Sequence, residues 1–293
     1  QYSKRVPLGV VGIITPWNFP VAIPIWKIAP ALICGNTVIW KPAENGSLTA
    51  TRLAELFAAT SLPPGVINLV IGKGREIGGT LLNEAAVQAI SFTGSSTTGR
   101  VVAETCARRN IKYQTEMGGK NAAVVLRDAD LKRAVPAILS GAFRSAGQKC
   151  TATSRIIVER TIYLAFVEHL QQAAEAVKVA PALDEAAYLG PVASAEQYDK
   201  VGGYAAIARR EADLVWEKPV PQELAGRGYY INPLIVTGVA AHHPLVQEEI
   251  FGPLAVVLQA DDFAEAIQLC NQSVYGLSAS LFTQDLSRAF QFL

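Results

Sequence analysis

Short β-branched runs alternate with longer segments of helical period along nearly the whole chain, and this alternation limits the available folds more than any other feature. Residues 10–15 and 37–40 read as buried strands, and residues 48–60 place Leu48, Leu53, Leu56 and Phe57 at helical spacing before Pro63-Pro64-Gly65 stops the helix. Strands follow at 66–70, 86–92 and 111–115, with helices at 75–82 and 97–107 between them. Asp128 or Asp130 can cap a helix running to Arg144. Helices at 161–177, 194–210 and 262–271 and strands at 229–236, 254–258 and 278–282 continue the pattern. Such repetition predicts an α/β fold of parallel, helix-covered sheets, arranged as two interleaved lobes.

Composition narrows the function. The 293 residues fill about two domains, and a chain of this size buries a core without disulfides or metals. Basic and acidic side chains balance at 26 to 25, so no charge excess drives binding to nucleic acid or to an anionic membrane. Residues 6–26 are uncharged and long enough to reach the ~20 residues of a membrane span. Pro7, Pro16, Pro20 and Pro24 interrupt them, so the run reads as a buried strand leading into an ordered loop. No small-x-small site follows that would mark a cleaved secretory signal. Cys34, Cys106, Cys150 and Cys270 stand apart from one another, which points to a reducing, cytoplasmic compartment. His169, His242 and His243 form no metal-ligand pattern, and His242-His243 before Pro244 reads as an exposed turn.

Three segments carry chemistry. Gly94-Ser95-Ser96-Thr97-Thr98-Gly99 follows a strand and opens a helix, where backbone N–H groups receive a pyrophosphate or simply cap the helix. Ser145-Ala146-Gly147-Gln148-Lys149-Cys150-Thr151 sets a cysteine among small residues beside a cation that favours its thiolate. Cys34, Cys106 and Cys270 lie in apolar or helical settings and read as core. Glu116 ends a strand before Met117-Gly118-Gly119-Lys120-Asn121, where a carboxylate is either solvated or functional.

Six ordered segments make a specific resemblance: Ile14-Thr15-Pro16-Trp17-Asn18-Phe19-Pro20, Lys41-Pro42-Ala43-Glu44, Phe92-Thr93-Gly94-Ser95, Glu116-Met117-Gly118-Gly119-Lys120, Gly147-Gln148-Lys149-Cys150 and Glu248-Glu249-Ile250-Phe251-Gly252-Pro253. Over essentially the entire chain they resemble the NAD(P)-dependent aldehyde dehydrogenase superfamily, with Met117 standing where many members have leucine. The resemblance implies a Rossmann-like cofactor-binding domain at 1–117 and an α/β catalytic domain at 118–293, each lacking a part. It makes Cys150 the nucleophile and Asn18 an oxyanion donor beside the Cys150 N–H, with Glu116 the base that activates water against a thioester. Lys41 and Glu44 would hold the adenosine ribose of NAD or NADP, Gly94 and Ser95 the pyrophosphate, and Glu249 and Phe251 the nicotinamide end. Ile14, Thr15 and Trp17 complete the cofactor set, and Phe19, Trp26, Arg144 and Thr151 the substrate set.

Arg144 precedes Cys150 where semialdehyde dehydrogenases carry an arginine for the distal carboxylate of a small-molecule aldehyde. The alternative is an arginine paired with a structural carboxylate on its own helix. Trp26 stands where succinic semialdehyde dehydrogenases tend to have a second arginine, and the wording is most similar to the α-ketoglutaric semialdehyde (2,5-dioxopentanoate) group. Glu116 argues against the CoA-acylating branch, which generally lacks it, and intact Cys150, Glu116 and Asn18 argue against a non-catalytic protein on the same scaffold. Members assemble as homodimers or homotetramers through an extra β-element. With Gln1 at its start and Met117 its single methionine, the chain reads as a central fragment, and low activity is expected of it alone.

Overall fold

The computed structural model describes residues 2–293. Two compact units divide the chain, Gln1–Met117 and Gly118–Leu293. Each is contiguous in sequence, so the lobes follow one another along the chain and are not interleaved.

The first unit runs β1 (Val10–Thr15), α1 (Ala22–Ile33), β2 (Thr37–Pro42), α2 (Ser47–Ala58), β3 (Ile67–Leu69), α3 (Gly74–Asn83), β4 (Val87–Thr93), α4 (Ser96–Arg108) and β5 (Lys112–Glu116). Its five strands are all parallel in the order β3-β2-β1-β4-β5. Alternate residues of β1 point to opposite faces, which gives the sheet two apolar layers. One gathers Val11, Ile13, Val38 and Trp40 with Ile28, Ala50 and Leu53 of α1 and α2. The other gathers Val87, Ile90 and Phe92 with Leu81, Leu82, Val102 and Cys106 of α3 and α4. Trp40 is fully buried and its indole Nε1 donates to Thr15 Oγ1 at 2.9 Å, so the ring fills the layer without leaving a polar atom unpaired.

Helix α1 corrects the expectation of a loop up to Trp26. Pro24 falls in the first helical turn, where its missing N–H would have no intrahelical partner, and the interior Pro30 comes only one turn before the end. The helix buries Ile23, Pro24, Lys27 and Ile28 and leaves Trp26 71% exposed. Cys34 is exposed, not core, because it caps α1 next to Gly35, whose φ of +80° turns the chain away.

The second unit runs β6 (Asn121–Val125), α5 (Leu131–Phe143), β7 (Thr153–Glu159), α6 (Tyr163–Ala174), α7 (Ala195–Glu211), β8 (Asp213–Glu217), β9 (Leu234–Thr237), α8 (Pro244–Gln247), β10 (Leu254–Ala260), α9 (Phe263–Asn271), β11 (Ala279–Phe282) and α10 (Leu286–Phe292). The six strands lie in the order β11-β6-β7-β10-β9-β8. The sheet is not wholly parallel as expected: edge strand β8 runs antiparallel to β9. Asp130 caps α5 by accepting the Lys132 N–H. Of the two histidines expected in an exposed turn, only His242 is exposed. His243 is half-buried because its Nδ1 accepts the Leu245 N–H that opens α8.

Among the described residues no helix is long and apolar enough to cross a membrane. No group of three or more His, Cys, Asp or Glu is placed there to hold a metal ion.

Candidate active site

In the first unit, chain progression reverses direction across the sheet between β1 and β4. Doubly wound sheets bind nucleotides outside the carboxyl ends of their strands at such a switch point. Ile14 and Thr15 end β1, with Trp17, Asn18 and Phe19 in the loop beyond it. Gly94 and Ser95 link the end of β4 to α4, and Ser95 Oγ caps that helix by accepting the Thr98 N–H at 3.3 Å. A Cβ on Gly94 would lie 2.6 Å from Cζ of Phe92, so the link must be glycine for that buried ring to fit. Lys41, on the neighbouring β2, is buried with its Nζ donating to the Pro42 carbonyl at 2.9 Å. Burial lowers its pKa and the Glu44 carboxylate partly restores it. Glu44 is exposed and accepts the N–H of Gly74, the first residue of α3, at 3.3 Å. An ammonium, a carboxylate and a helix N-terminus at strand carboxyl ends fit a dinucleotide's ribose hydroxyls and phosphates.

Glu116 ends edge strand β5, exposed, its Oε1 accepting from Gln114 Nε2 at 3.1 Å. The sequence reading missed Lys27. Its Nζ donates to Ser91 Oγ at 3.0 Å and to the Phe92 carbonyl at 3.3 Å, and burial pushes its pKa down to about 8 against the pull of Glu116. The signal was present: Lys27 lies four residues after Ile23, on the buried stripe of α1.

In the second unit, Cys150 follows a strained turn. Helix α5 ends at Phe143, and Ser145, Ala146 and Gly147 then take φ values of 59°, 52° and 69° in succession. Non-glycine residues pay roughly 1–2 kcal/mol each for this conformation, so tertiary contacts must hold the turn. Ala146 is buried, Gln148 Oε1 accepts the Ala193 N–H at 2.9 Å, and Gly147 packs on the backbone of Gly252. Cys150 is half-buried, and its carbonyl accepts from Asn121 Nδ2 at 2.7 Å. Lys149 Nζ donates to the Ser140 carbonyl on α5 at 3.3 Å. Thr151 is exposed beside the cysteine.

Glu249 meets the double glycine that precedes β6. Glu249 Oε1 accepts the Gly119 N–H at 3.1 Å, and burial raises this carboxyl's pKa. A Cβ on Gly118 would stand 2.5 Å from the Glu249 Cδ, and one on Gly119 would stand 2.8 Å from the Cys150 carbonyl oxygen. The double glycine therefore lets the cysteine loop and the glutamate approach one backbone segment. Two unexpected residues of α7 fix the other side: Lys200 Nζ donates to the Glu249 carbonyl at 3.0 Å, and Gln197 Nε2 to the Phe251 carbonyl at 2.6 Å. Phe251 itself holds a φ of 60°. Lys120 was also missed. It is 2% exposed, its Nζ has no hydrogen-bond partner, and burial beside Arg155 pushes its pKa down to about 7. It closes the Glu116-Met117-Gly118-Gly119-Lys120 segment, and that place was its signal.

Arg144 has no carboxylate within ion-pair distance among the described residues, which rules out a structural acid on its own helix as its partner. Its guanidinium lies instead over the Tyr188 ring, 4.4 Å from the centroid. Lys149 is equally without a carboxylate partner, and its pKa is lowered first by burial and then by Arg144. Phe19, half-buried, and Trp26, exposed, belong to the first unit.

The chain is 44% identical over its full length to the α-ketoglutaric semialdehyde dehydrogenase of Bacillus subtilis, covering 60% of that protein. It is 38% identical to the 2,5-dioxopentanoate dehydrogenase of Saccharolobus solfataricus, again over the full chain and 61% of the relative. The crystal structure of betaine aldehyde dehydrogenase from Staphylococcus aureus in complex with NAD+ superposes with a TM-score of 0.93 at 36% identity, over 98% of this chain and 57% of that one. The chain thus spans about three fifths of the length of the curated relatives it matches. Since residues 1–293 also match the family profile from end to end, the chain belongs to the aldehyde dehydrogenase family.

Proposed function

We propose that this protein oxidises a short, carboxylate-bearing aldehyde to the corresponding acid with NAD or NADP, through a thioester on Cys150. The observation that supports the substrate class is the pair of cations before the cysteine, Arg144 and Lys149, neither of which has a carboxylate partner among the described residues. An uncompensated guanidinium favours an incoming carboxylate, because its planar fork pairs both oxygens.

Residues 1–117 act in this reading as the cofactor-binding domain and 118–293 as the catalytic domain. Lys41 and Glu44 hold the adenosine ribose, Gly94, Ser95 and the α4 N-terminus the pyrophosphate, Ile14, Thr15 and Trp17 the body of the cofactor, and Glu249 and Phe251 its nicotinamide end. Bound there, NAD or NADP supplies the hydride acceptor. The Cys150 thiolate adds to the aldehyde carbon, and the Asn18 amide and the Cys150 N–H stabilise the oxyanion that forms. Loss of hydride leaves the thioester. Glu116 removes a proton from the water that hydrolyses it, releasing the acid and restoring the thiolate. Phe19, Trp26 and Thr151 line the aldehyde's path, and the working enzyme is a cytoplasmic homodimer or homotetramer.

Arg144→Ala tests the substrate class. With 2,5-dioxopentanoate and a neutral aldehyde of equal length, kcat/KM for the anionic substrate is expected to fall about 10- to 150-fold, the loss of a charge-assisted hydrogen bond. The neutral aldehyde should be unaffected. An unchanged ratio of the two would remove the carboxylate clamp.

A further inference from the structure

Tyr188 lies in the long connection between α6 and α7, outside every motif that the sequence singles out. Its placement is nonetheless fixed from both sides. The Tyr188 N–H donates to the Lys178 carbonyl at 2.9 Å, Leu189 pairs with Val179 in an isolated parallel bridge, and Val179, Ala180 and Leu189 are all buried. The half-buried ring packs against the core of the second unit. One face of this anchored ring receives the Arg144 guanidinium at 4.4 Å from its centroid, and Arg144 draws the phenol's pKa down against the rise that burial causes.

Arg144 needs such a partner. It is exposed, follows the last residue of α5 and opens the left-handed turn that leads to Cys150, and Lys149 repels it. A long side chain in that setting samples many rotamers, and each one lost on binding a substrate weakens binding. Stacking on an aromatic face fixes the guanidinium plane while leaving in-plane N–H donors for a carboxylate.

We propose that Tyr188 is a positioning residue for substrate selection: its ring holds the Arg144 guanidinium ready for the distal carboxylate of the aldehyde. The proposal rests on the reading of Arg144 as that carboxylate's partner. Tyr188 itself touches no reacting atom, so its removal weakens capture of the anionic substrate and leaves the chemical step alone.

Kinetics of Tyr188→Leu, Tyr188→Phe and Arg144→Ala with the same anionic and neutral aldehydes test this. Tyr188→Leu is expected to raise KM for the anionic aldehyde about 3- to 30-fold, with kcat and the neutral KM within about twofold of the parent, on the range of cation–π energies. Tyr188→Phe keeps the ring and should recover most of that loss. Equal losses for both aldehydes in Tyr188→Leu would show a merely structural role and overturn the proposal, as would an unchanged anionic KM while Arg144→Ala still discriminates. Loss of discrimination in neither Arg144→Ala nor Tyr188→Leu would mean that the carboxylate reading has failed. The pairing is then judged by titration of ring-labelled Tyr188: an upward pKa shift in Arg144→Ala supports it and no shift overturns it, since Arg144 draws this phenol's pKa down.

Discussion

Exchange of Cys150 for serine is expected to lower aldehyde-dependent NAD(P)H formation by about three orders of magnitude or more, the scale on which removal of a nucleophile acts in other enzymes. A serine hydroxyl needs a base to become nucleophilic, whereas a thiolate forms near neutral pH beside favourable charge. The fold should barely register the change. The half-buried residue is tied to its surroundings by its carbonyl, which accepts from Asn121 Nδ2 together with the Ala152 carbonyl at 2.7 and 3.0 Å, and serine keeps both bonds. Absorbance of the reduced cofactor measures the first effect and thermal unfolding the second. A variant with parental turnover would mean that this scaffold uses another nucleophile or none.

Gly147→Ala is expected to cost roughly 2–5 kcal/mol of stability and to disable the site, because it combines two penalties. At a φ of 69° an alanine pays the left-handed strain. Its Cβ would also overlap the Gly252 carbonyl oxygen and stand 2.5 Å from the carbonyl carbon, and backbone cannot step aside as a side chain can. Gly65→Ala separates the two, since Gly65 has a φ of +83° with nothing within 4 Å of its Cβ position. Strain alone, about 1–2 kcal/mol, is expected there. Denaturant unfolding of both variants gives the comparison. Equal losses would mean that the Gly147–Gly252 approach contributes nothing to holding the cysteine turn.

The first unit was legible wherever sequence period and burial coincide. Strands β1 to β5 alternate with helices α2 to α4 near the expected positions, and the glycine turn after β4 opens α4 with Ser95 as its cap. Helix α1 escaped because proline is read as a breaker, although Pro24 sits where a helix tolerates it. Strands β6 and β7 escaped for another reason. All five residues of β6 are buried, as are Arg155 to Glu159 of β7, so neither strand shows the in-out alternation that marks a half-exposed strand. The polar residues of β7 concealed it further: Arg155 is buried with its guanidinium donating to the carbonyls of Lys120, Leu269 and Cys270, contacts that only the folded chain creates.

The candidate site shows the same division. Motifs singled out Cys150, Glu116 and Glu249 as candidates, yet the elements that hold the cysteine turn come from distant parts of the chain. Gln197 and Lys200 of α7 grip the Glu249–Phe251 backbone, and Tyr188 faces Arg144, with separations of dozens of residues that no local pattern encodes. Arg144 illustrates the point most clearly. Sequence left open a structural carboxylate as its partner, and the folded chain supplies an aromatic ring.

The most direct test of thioester chemistry at Cys150 is peptide mass mapping of a Glu116→Gln variant quenched during turnover of 2,5-dioxopentanoate with NAD or NADP. An amide cannot deprotonate the hydrolytic water, so the acyl group should accumulate. The expected result is one acyl adduct per chain, on the peptide that carries Cys150. No adduct, or an adduct confined to Cys34, Cys106 or Cys270, would contradict it.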